Sequence, residues 1–240
     1  MFWKKKTLKD FLPFPVRASH GEYSMILSAH DETRPTKELL DLSLQAVQRA
    51  STIDLQDICA RLPSSPYYPN IWPGEHYKLL GALCDILKPK YLVEIGTATG
   101  LSALCMKKFL PPEGKLITFD IVPWQEMDAP VLKKQDFSDG RLVQFTDNLA
   151  DPFLIEKHRH YLENASLIFI DATHDGKLEE ALFEHFERIT FKTNPLIVLD
   201  DIRVWSMLKM WREIQRPKLD LTSFGHWSGT GLVQWKKKLG

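Results

Sequence analysis

Two short stretches carry acids at positions where a reaction could use them. One reads Ile170-Asp171-Ala172-Thr173-His174-Asp175 and the other Leu199-Asp200-Asp201-Ile202, and each ends an apolar run of strand length. Three carboxylates brought together without cations repel and raise one another's pKa values, so a bound hard divalent ion is the economical reading. Magnesium takes oxygen ligands and keeps water positions open, which leaves room for a substrate hydroxyl. His174, three residues beyond Asp171, is placed to face the same cleft, and an imidazole near neutral pH takes a proton from a hydroxyl. The competing reading is structural: Asp171 caps one helix, and Asp200 and Asp201 cap the next. Capping needs one acid per helix and leaves the doublet unexplained.

Upstream, Val93-Glu94-Ile95-Gly96-Thr97-Ala98-Thr99-Gly100 closes another apolar run and opens a helix over Leu101 to Phe109. Glycines in a strand-to-helix turn let a nucleotide-like ligand approach the backbone, although many such turns serve only to pack a helix on a sheet. Asp120 ends the next strand-like run, 120 − 100 = 20 residues past Gly100, a separation at which a carboxylate accepts hydrogen bonds from a ribose diol. A dinucleotide fingerprint wants glycine where Ala98 stands. Glu94 puts a negative charge beneath the ligand, which suits a cationic cofactor better than a pyrophosphate.

These residues need a scaffold that delivers them to one edge. Tyr91 to Ile95, Lys115 to Phe119, Arg141 to Phe145, Ser166 to Ile170 and Pro195 to Leu199 are short apolar runs separated by helix-length segments, the alternation of a doubly wound α/β fold with a mostly parallel sheet. The Leu- and Ile-rich runs lack polar alternation because helices cover both faces. Ligands of such sheets sit at the carboxyl ends of the strands. A helix over Arg203 to Gln215 and two antiparallel closing strands, Leu219 to Phe224 and Gly231 to Trp235, complete seven strands. Before Lys90, helices are expected over Pro35 to Ala50, Asp54 to Leu62 and Gly74 to Leu87, with a proline-rich loop over Pro63 to Pro73. The division expected is 1–73 as an N-terminal extension and helical cap or lid, and 74–240 as the cofactor-binding domain.

With these motifs in place, the segment from Gly74 onward resembles the class I S-adenosylmethionine-dependent methyltransferases, carried by Glu94 to Gly100 and by Asp120. The resemblance implies a Rossmann-like methyltransferase fold with S-adenosyl-L-methionine as cofactor. It implies that Glu94 lies near the methionine ammonium, that Gly96, Thr97, Ala98 and Gly100 form the turn against the ligand, and that Asp120 holds the ribose. Asp147 and Asn148 resemble the adenine-side motif, with a plain turn as the alternative. Glu75 or His76 is expected to close the pocket, with capping of the following helix as the alternative. Asp171-x-x-His174 with Asp200-Asp201 resembles the cation-dependent O-methyltransferases, in particular the macrocin and mycinamicin branch that methylates sugar hydroxyls. That likeness implies Asp171, Asp200 and Asp201 as ligands of Mg2+ or another divalent cation, and His174 or Asp171 as the base. The loop around His226 and Trp227 resembles that branch's closing hairpin, where the two side chains line a substrate entrance or Trp227 simply packs.

The remaining composition bounds the partners. The chain has 240 residues with 31 Lys+Arg against 31 Asp+Glu, a balance that argues against a protein built to grip phosphate backbones. Cys59, Cys84 and Cys105 are far apart and odd in number, so buried reduced thiols in a reducing, cytoplasmic compartment are expected. No apolar run reaches the ~18 residues of a membrane span. The basic cluster after Phe2 and Trp3 reads as a solvated terminus, with contact to an anionic membrane as the alternative. The expected partner is a small molecule bearing a hydroxyl, of sugar or natural-product type, with no nucleic acid and with room for a homo-oligomer. Two rivals stay open: a nicotinamide-dependent oxidoreductase on a similar fold, and a non-catalytic module that keeps a cofactor-like pocket.

Overall fold

The computed structural model describes residues 33–62, 68–204 and 207–236. The basic N-terminal cluster and residues 63–67 of the proline-rich loop lie outside the described residues. Five strands come first: β1 (Tyr91–Ile95), β2 (Lys115–Phe119), β3 (Leu142–Phe145), β4 (Leu167–Ile170) and β5 (Leu196–Asp200). They are followed by β6 (Lys218–Asp220) and β7 (Thr230–Gln234). All seven join one sheet in the order β3-β2-β1-β4-β5-β7-β6, in which β1 to β6 run the same way and β7 runs antiparallel between β5 and β6. This is the expected doubly wound, mostly parallel sheet with its closing hairpin.

Helices cover both faces, and strand parity decides what each face meets. Leu92, Leu167, Phe169, Leu196 and Val198 point to the side of α1 (Lys37–Ala50), α3 (Tyr77–Leu87) and α4 (Leu101–Phe109), in a core with Leu79, Leu83 and Leu104. Val93, Ile95, Ile168, Ile170, Ile197 and Leu199 point the other way. They pack with Leu162 of α6 (Arg159–Asn164), with Leu182 and Phe186 of α7 (Lys177–Arg188), and with Met210 and Trp211 of α8 (Met207–Glu213). Glu94, Asp171 and Asp200 each stand two residues beyond a member of the first set, so all three belong to the α3 side. The short α2 (Gln56–Cys59) and α5 (Pro152–Lys157) complete the helices. Residues expected in the cap, Leu39, Ala46, Ala50, Ile53, Leu55 and Ile58, lie in the same core as α3 and α4.

Register brings the chemistry into line. Ile95 pairs with Phe119 on one side and Ile170 on the other, and Ile170 pairs with Leu199. The next residues, Asp120, Gly96, Asp171 and Asp200, therefore leave four neighbouring strands in one row. Three strand spacings of roughly 4.8 Å separate the ends of β2 and β5 by about 14 Å. The chain passes from β1 to β2 on one side and later fills β4 on the other, making the gap between β1 and β4 the topological switch point.

Several elements start later or end earlier than the sequence pattern predicts. The helix expected from Gly74 begins at Tyr77, since Gly74 has φ 138° and its backbone bridges to His226. Of the helix expected from Arg203, the described part is α8, and ahead of it Asp201 is left-handed at φ 57° and Val204 N–H donates to its carbonyl in a turn. The helix expected over Asp54 to Leu62 contracts to Gln56–Cys59. The strand expected through Phe224 stops at Asp220, whose Oδ1 accepts from Thr222 N at 2.9 Å and folds the chain into a turn.

Candidate active site

The turn after β1 is shaped by what surrounds it. Gly96 has φ 102°, and a Cβ there would run into the backbone carbonyl of Asp171, so the ends of β1 and β4 approach as closely as a glycine allows. Ala98 is left-handed at φ 43°, and its N–H donates to Asp120 Oδ2 at 2.8 Å. Asp120 Oδ1 accepts from Val122 N at 3.1 Å, so this carboxylate fixes two loops while remaining half-buried at the sheet edge. Gly100 is left-handed at φ 84° and lies against Leu132. Thr97 is buried, its hydroxyl 2.6 Å from that of Thr118.

Glu94 lies below the turn with no exposure at all. Its Oε1 accepts from Ser102 Oγ at 2.6 Å, and its Oε2 has no hydrogen bond. Burial pushes its pKa up to about 8, the Ser102 and Thr118 hydroxyls pull it partly back, and the acids Asp171 and Asp120 push it up further. At neutral pH in the free protein this residue is mainly a neutral acid, in contrast to the charge expected from its letter.

Beside the turn, the acids of β4 and β5 converge with histidines from three loops. His174 Nε2 is 3.4 Å from Asp171 Oδ1, and its Nδ1 is 3.2 Å from Asp201 Oδ2. His174 and Asp201 both hold positive φ, 53° and 57°, a backbone strain of order 1–3 kcal/mol each that functional sites often retain. Asp200 is buried and met from two sides: His226 Nδ1 lies 3.1 Å from its Oδ2 and His76 Nδ1 lies 3.3 Å from its Oδ1. The second contact is close enough for charge attraction but is not aligned as a hydrogen bond. Glu75 Oε2 stands 3.6 Å from His226 Nε2.

The electrostatics follow from this packing. Burial and the neighbouring Asp200 charge raise Asp171, with His76 and His174 opposing them. Burial alone would raise Asp200 too, but His76 and His226 overcome it and hold this carboxylate well below its usual range. Burial would lower His76, yet Asp200 dominates and brings it up to about 9. Burial raises Glu75, against the pull of His226 and His76.

The sequence-predicted residues thus divide. The structure gathers Asp171, His174, Asp200 and Asp201 at one place and sets Gly96, Ala98 and Asp120 beside it along the row. His76 joins Asp200, and Glu75 faces His226. Asp147 is taken up by Lys157 Nζ at 2.8 Å and His158 Nε2 at 2.6 Å, and Asn148 Oδ1 accepts from Ala150 N at 2.9 Å in a turn. His226 was expected at a substrate entrance; the structure also makes it a partner of Asp200. The signal for that lay in the closing strands, since pairing Asp200 with Thr230 brings the loop before Thr230 back over the end of β5.

The fold is that of a class I methyltransferase scaffold. A family described as O-methyltransferase matches residues 53–208, and the chain belongs to that family. Tricin synthase 2 of Oryza sativa subsp. japonica is 31% identical over 84 residues, 32% of this chain and 29% of its own length. Caffeoyl-CoA O-methyltransferase 2 of Petunia hybrida is 27% identical over 143 residues, 58% of this chain and 57% of its own length. The chain therefore spans less than two thirds of these curated relatives. Among solved structures, the SAH-bound methyltransferase PaMTH1 of Podospora anserina has a TM-score of 0.50 at 17% identity, over 86% of this chain and 91% of that one. Cofactor-bound Rv0187 from MTB has a TM-score of 0.50 at 18% identity, over 85% and 92%. These two likenesses concern the fold.

Proposed function

We propose that the protein transfers a methyl group from S-adenosyl-L-methionine to a hydroxyl of a small molecule, with a divalent cation assisting. The observation that supports this best is the row itself: the cofactor-type turn at Gly96 touches the Asp171 backbone, and Asp171 begins the cluster of acids and imidazoles. Family membership favours this reading over a nicotinamide-dependent oxidoreductase or a non-catalytic module.

The residues present fit both groups. His174 lies between Asp171 and Asp201, and His226 lies near both Asp200 and Asp201, so these carboxylates share imidazole countercharge, a donor set suited to a divalent cation. Asp171, Asp200 and Asp201 would hold it. Asp120 keeps acceptor capacity beyond its two backbone contacts and would take the ribose, with the Gly96 to Gly100 turn against the cofactor and Glu94 beneath its amino-acid end. When bound, S-adenosylmethionine supplies an electrophilic methyl and a divalent cation supplies Lewis acidity toward an oxygen.

The chain's own part is positioning and proton transfer. His174 stands between Asp171 and Asp201 and is oriented by both, so an imidazole nitrogen is set to accept the acceptor's hydroxyl proton; Asp171 is the alternative base. The rigid strand ends fix the distance between the cofactor turn and the acids, the condition for an in-line displacement. The segment before Gly74 supplies half-exposed Ile71 and part-buried Trp72, the latter 6.2 Å from the Phe224 ring, as an apolar wall that selects the acceptor and excludes water. The likeness of Asp171-x-x-His174 to the macrocin and mycinamicin enzymes keeps sugar-type hydroxyls in the acceptor panel beside catechols. Incubation with methyl-labelled S-adenosylmethionine and both acceptor classes should give labelled product that chelation abolishes. A protein that binds no S-adenosylhomocysteine, or whose turnover survives exhaustive chelation, defeats the proposal or its cation respectively.

A further inference from the structure

We infer that the groove between α7 and α8 is the docking site of a segment of this same chain, Phe2 to Lys6, with Phe2 and Trp3 on its apolar floor and the lysines against its acidic rim. Docking there stands apart from the methyl-transfer reading and would survive its failure.

The first observation is the make-up of the groove. It has a volume of about 710 Å3 and ends at Pro217, just before β6. Phe183 of α7, Met210 of α8 and Ile214 just after it form the floor. α7 turns Glu180, Phe183, Glu184 and Glu187 toward the groove at the i, i+3, i+4, i+7 spacing of one helix face, while Glu179, Leu182 and Phe186 of the same helix are buried. Glu187 is taken by Arg216 at 2.7 Å, and Glu213 lies 3.7 Å from Lys209. Glu180 and Glu184 are exposed and form the acidic rim. An apolar floor beside two like charges one helical turn apart fits a ligand that is apolar at one end and cationic at the other.

The second observation is where the chain arrives. The described residues begin at Thr33, whose Oγ1 donates to the Ile214 carbonyl at 3.4 Å, so the preceding part of the sequence joins the fold at the groove itself. Lys6 is 33 − 6 = 27 residues away, a covalent reach of roughly 90 Å at full extension, so the connection sets no limit. Tethering also raises the effective concentration of a segment at its site, to the order of mM for short linkers, which makes weak contacts sufficient.

The two partners match in charge and in dimension. Phe2-Trp3-Lys4-Lys5-Lys6 sets two aromatic residues before three cations and contains no acid. Five extended residues cover roughly 17 Å, against about 18 Å for the 12 residues of α7. In an extended chain Lys4 and Lys6 would stand about 6.6 Å apart on one side, and Glu180 and Glu184, one helical turn apart, stand about 6 Å from each other. The consequence reaches the candidate site, since α7 follows the His174 loop and α8 follows the Asp201 turn. A segment laid across both helices braces both loops from outside.

The test uses the full chain carrying the photo-crosslinker p-benzoylphenylalanine in place of Trp3, irradiated and read by peptide mass spectrometry. Insertion should map to Phe183, Met210 or Ile214 of the same chain, and a mixture of light and heavy isotope-labelled protein should give no mixed pairs. The double reversal Glu180→Lys with Glu184→Lys should lower the yield at least about fivefold, and adding Lys4→Glu, Lys5→Glu and Lys6→Glu should restore it. Glu180 and Glu184 are exposed, so the reversals spare the fold. Mixed pairs put a second copy in the groove. Insertion scattered over the surface, with the same yield in all three proteins, leaves the segment in solvent. Insertion into added phosphatidylserine vesicles in place of the groove puts it on a lipid surface. Each of these three results overturns the inference.

Discussion

Glu94→Gln should erase a pH dependence of stability that the wild type carries. The glutamate is wholly buried, with a pKa raised from 4.5 to about 8, chiefly by burial. A raised carboxyl pKa means that the folded protein holds a proton the unfolded chain has released anywhere between those values. Stability from this group is therefore fully present below pH 4.5 and is lost as pH rises toward 8. The difference 8 − 4.5 = 3.5, at about 1.4 kcal/mol for each pH unit, puts the whole loss at about 5 kcal/mol. Glutamine retains an oxygen to accept from Ser102 and has no proton to lose. The assay is urea unfolding of both proteins without cofactor at pH 5, 6, 7 and 8. The wild-type stability minus that of Glu94→Gln should fall by about 1.4 kcal/mol per pH unit through the middle of the window, since titrations remote from Glu94 cancel in the difference. Parallel pH curves for the two proteins would refute the reasoning.

Three further outcomes test the row of site residues. Gly96→Ala should destabilise the protein by about 2–6 kcal/mol, strained backbone and overpacking together, because the new methyl meets the Asp171 carbonyl at φ 102°; an unchanged unfolding midpoint contradicts this. Asp120→Ala should weaken S-adenosylhomocysteine binding by about 1–3 kcal/mol, measured by calorimetry on protein shown to be folded by circular dichroism, and unchanged affinity removes the ribose assignment. His174→Ala should slow methyl transfer by about 100- to 10,000-fold with cofactor affinity intact, and near-normal turnover at neutral pH passes the proton to Asp171 or water.

The sheet was legible because its runs are rich in apolar residues, β4 and Leu196 to Leu199 of β5 wholly so, and are separated by helix-length segments. Ile168, Ile170, Ile197 and Leu199 bury on one face while Leu167, Phe169, Leu196 and Val198 bury on the other. Once the strands are parallel, the residues that follow them must share an edge, which is why Asp120, Asp171 and Asp200 could be grouped before any geometry was known. The start of α3 was not legible, since Gly74 holds positive φ and bridges to His226 in another loop. Turn and ligand readings of Asp147 and Asn148 read alike in sequence; in the structure, Lys157, His158 and the Ala150 amide occupy these side chains.

The hardest part to read was the state of the site. Glu94 is written as an acid, and the charge inferred from that letter assumes solvent; zero exposure reverses the inference for the free protein at neutral pH. His76 reads as a residue in the first turn of a helix, and no periodicity can tell that it faces Asp200. That meeting requires two separate facts of assembly. Strand parity sends Asp200 to the α3 side, and the bridge from Gly74 to His226 draws the loop before α3 over the end of β5. Each is set by pairing across the sheet, between residues more than 100 positions apart in the case of His76 and Asp200, where local sequence patterns carry no information. The same reasoning makes the Gly74 loop a coupling element: a change there that breaks the bridge to His226 should disturb the environment of Asp200 without touching an acid, and histidine ring shifts in NMR spectra would register it.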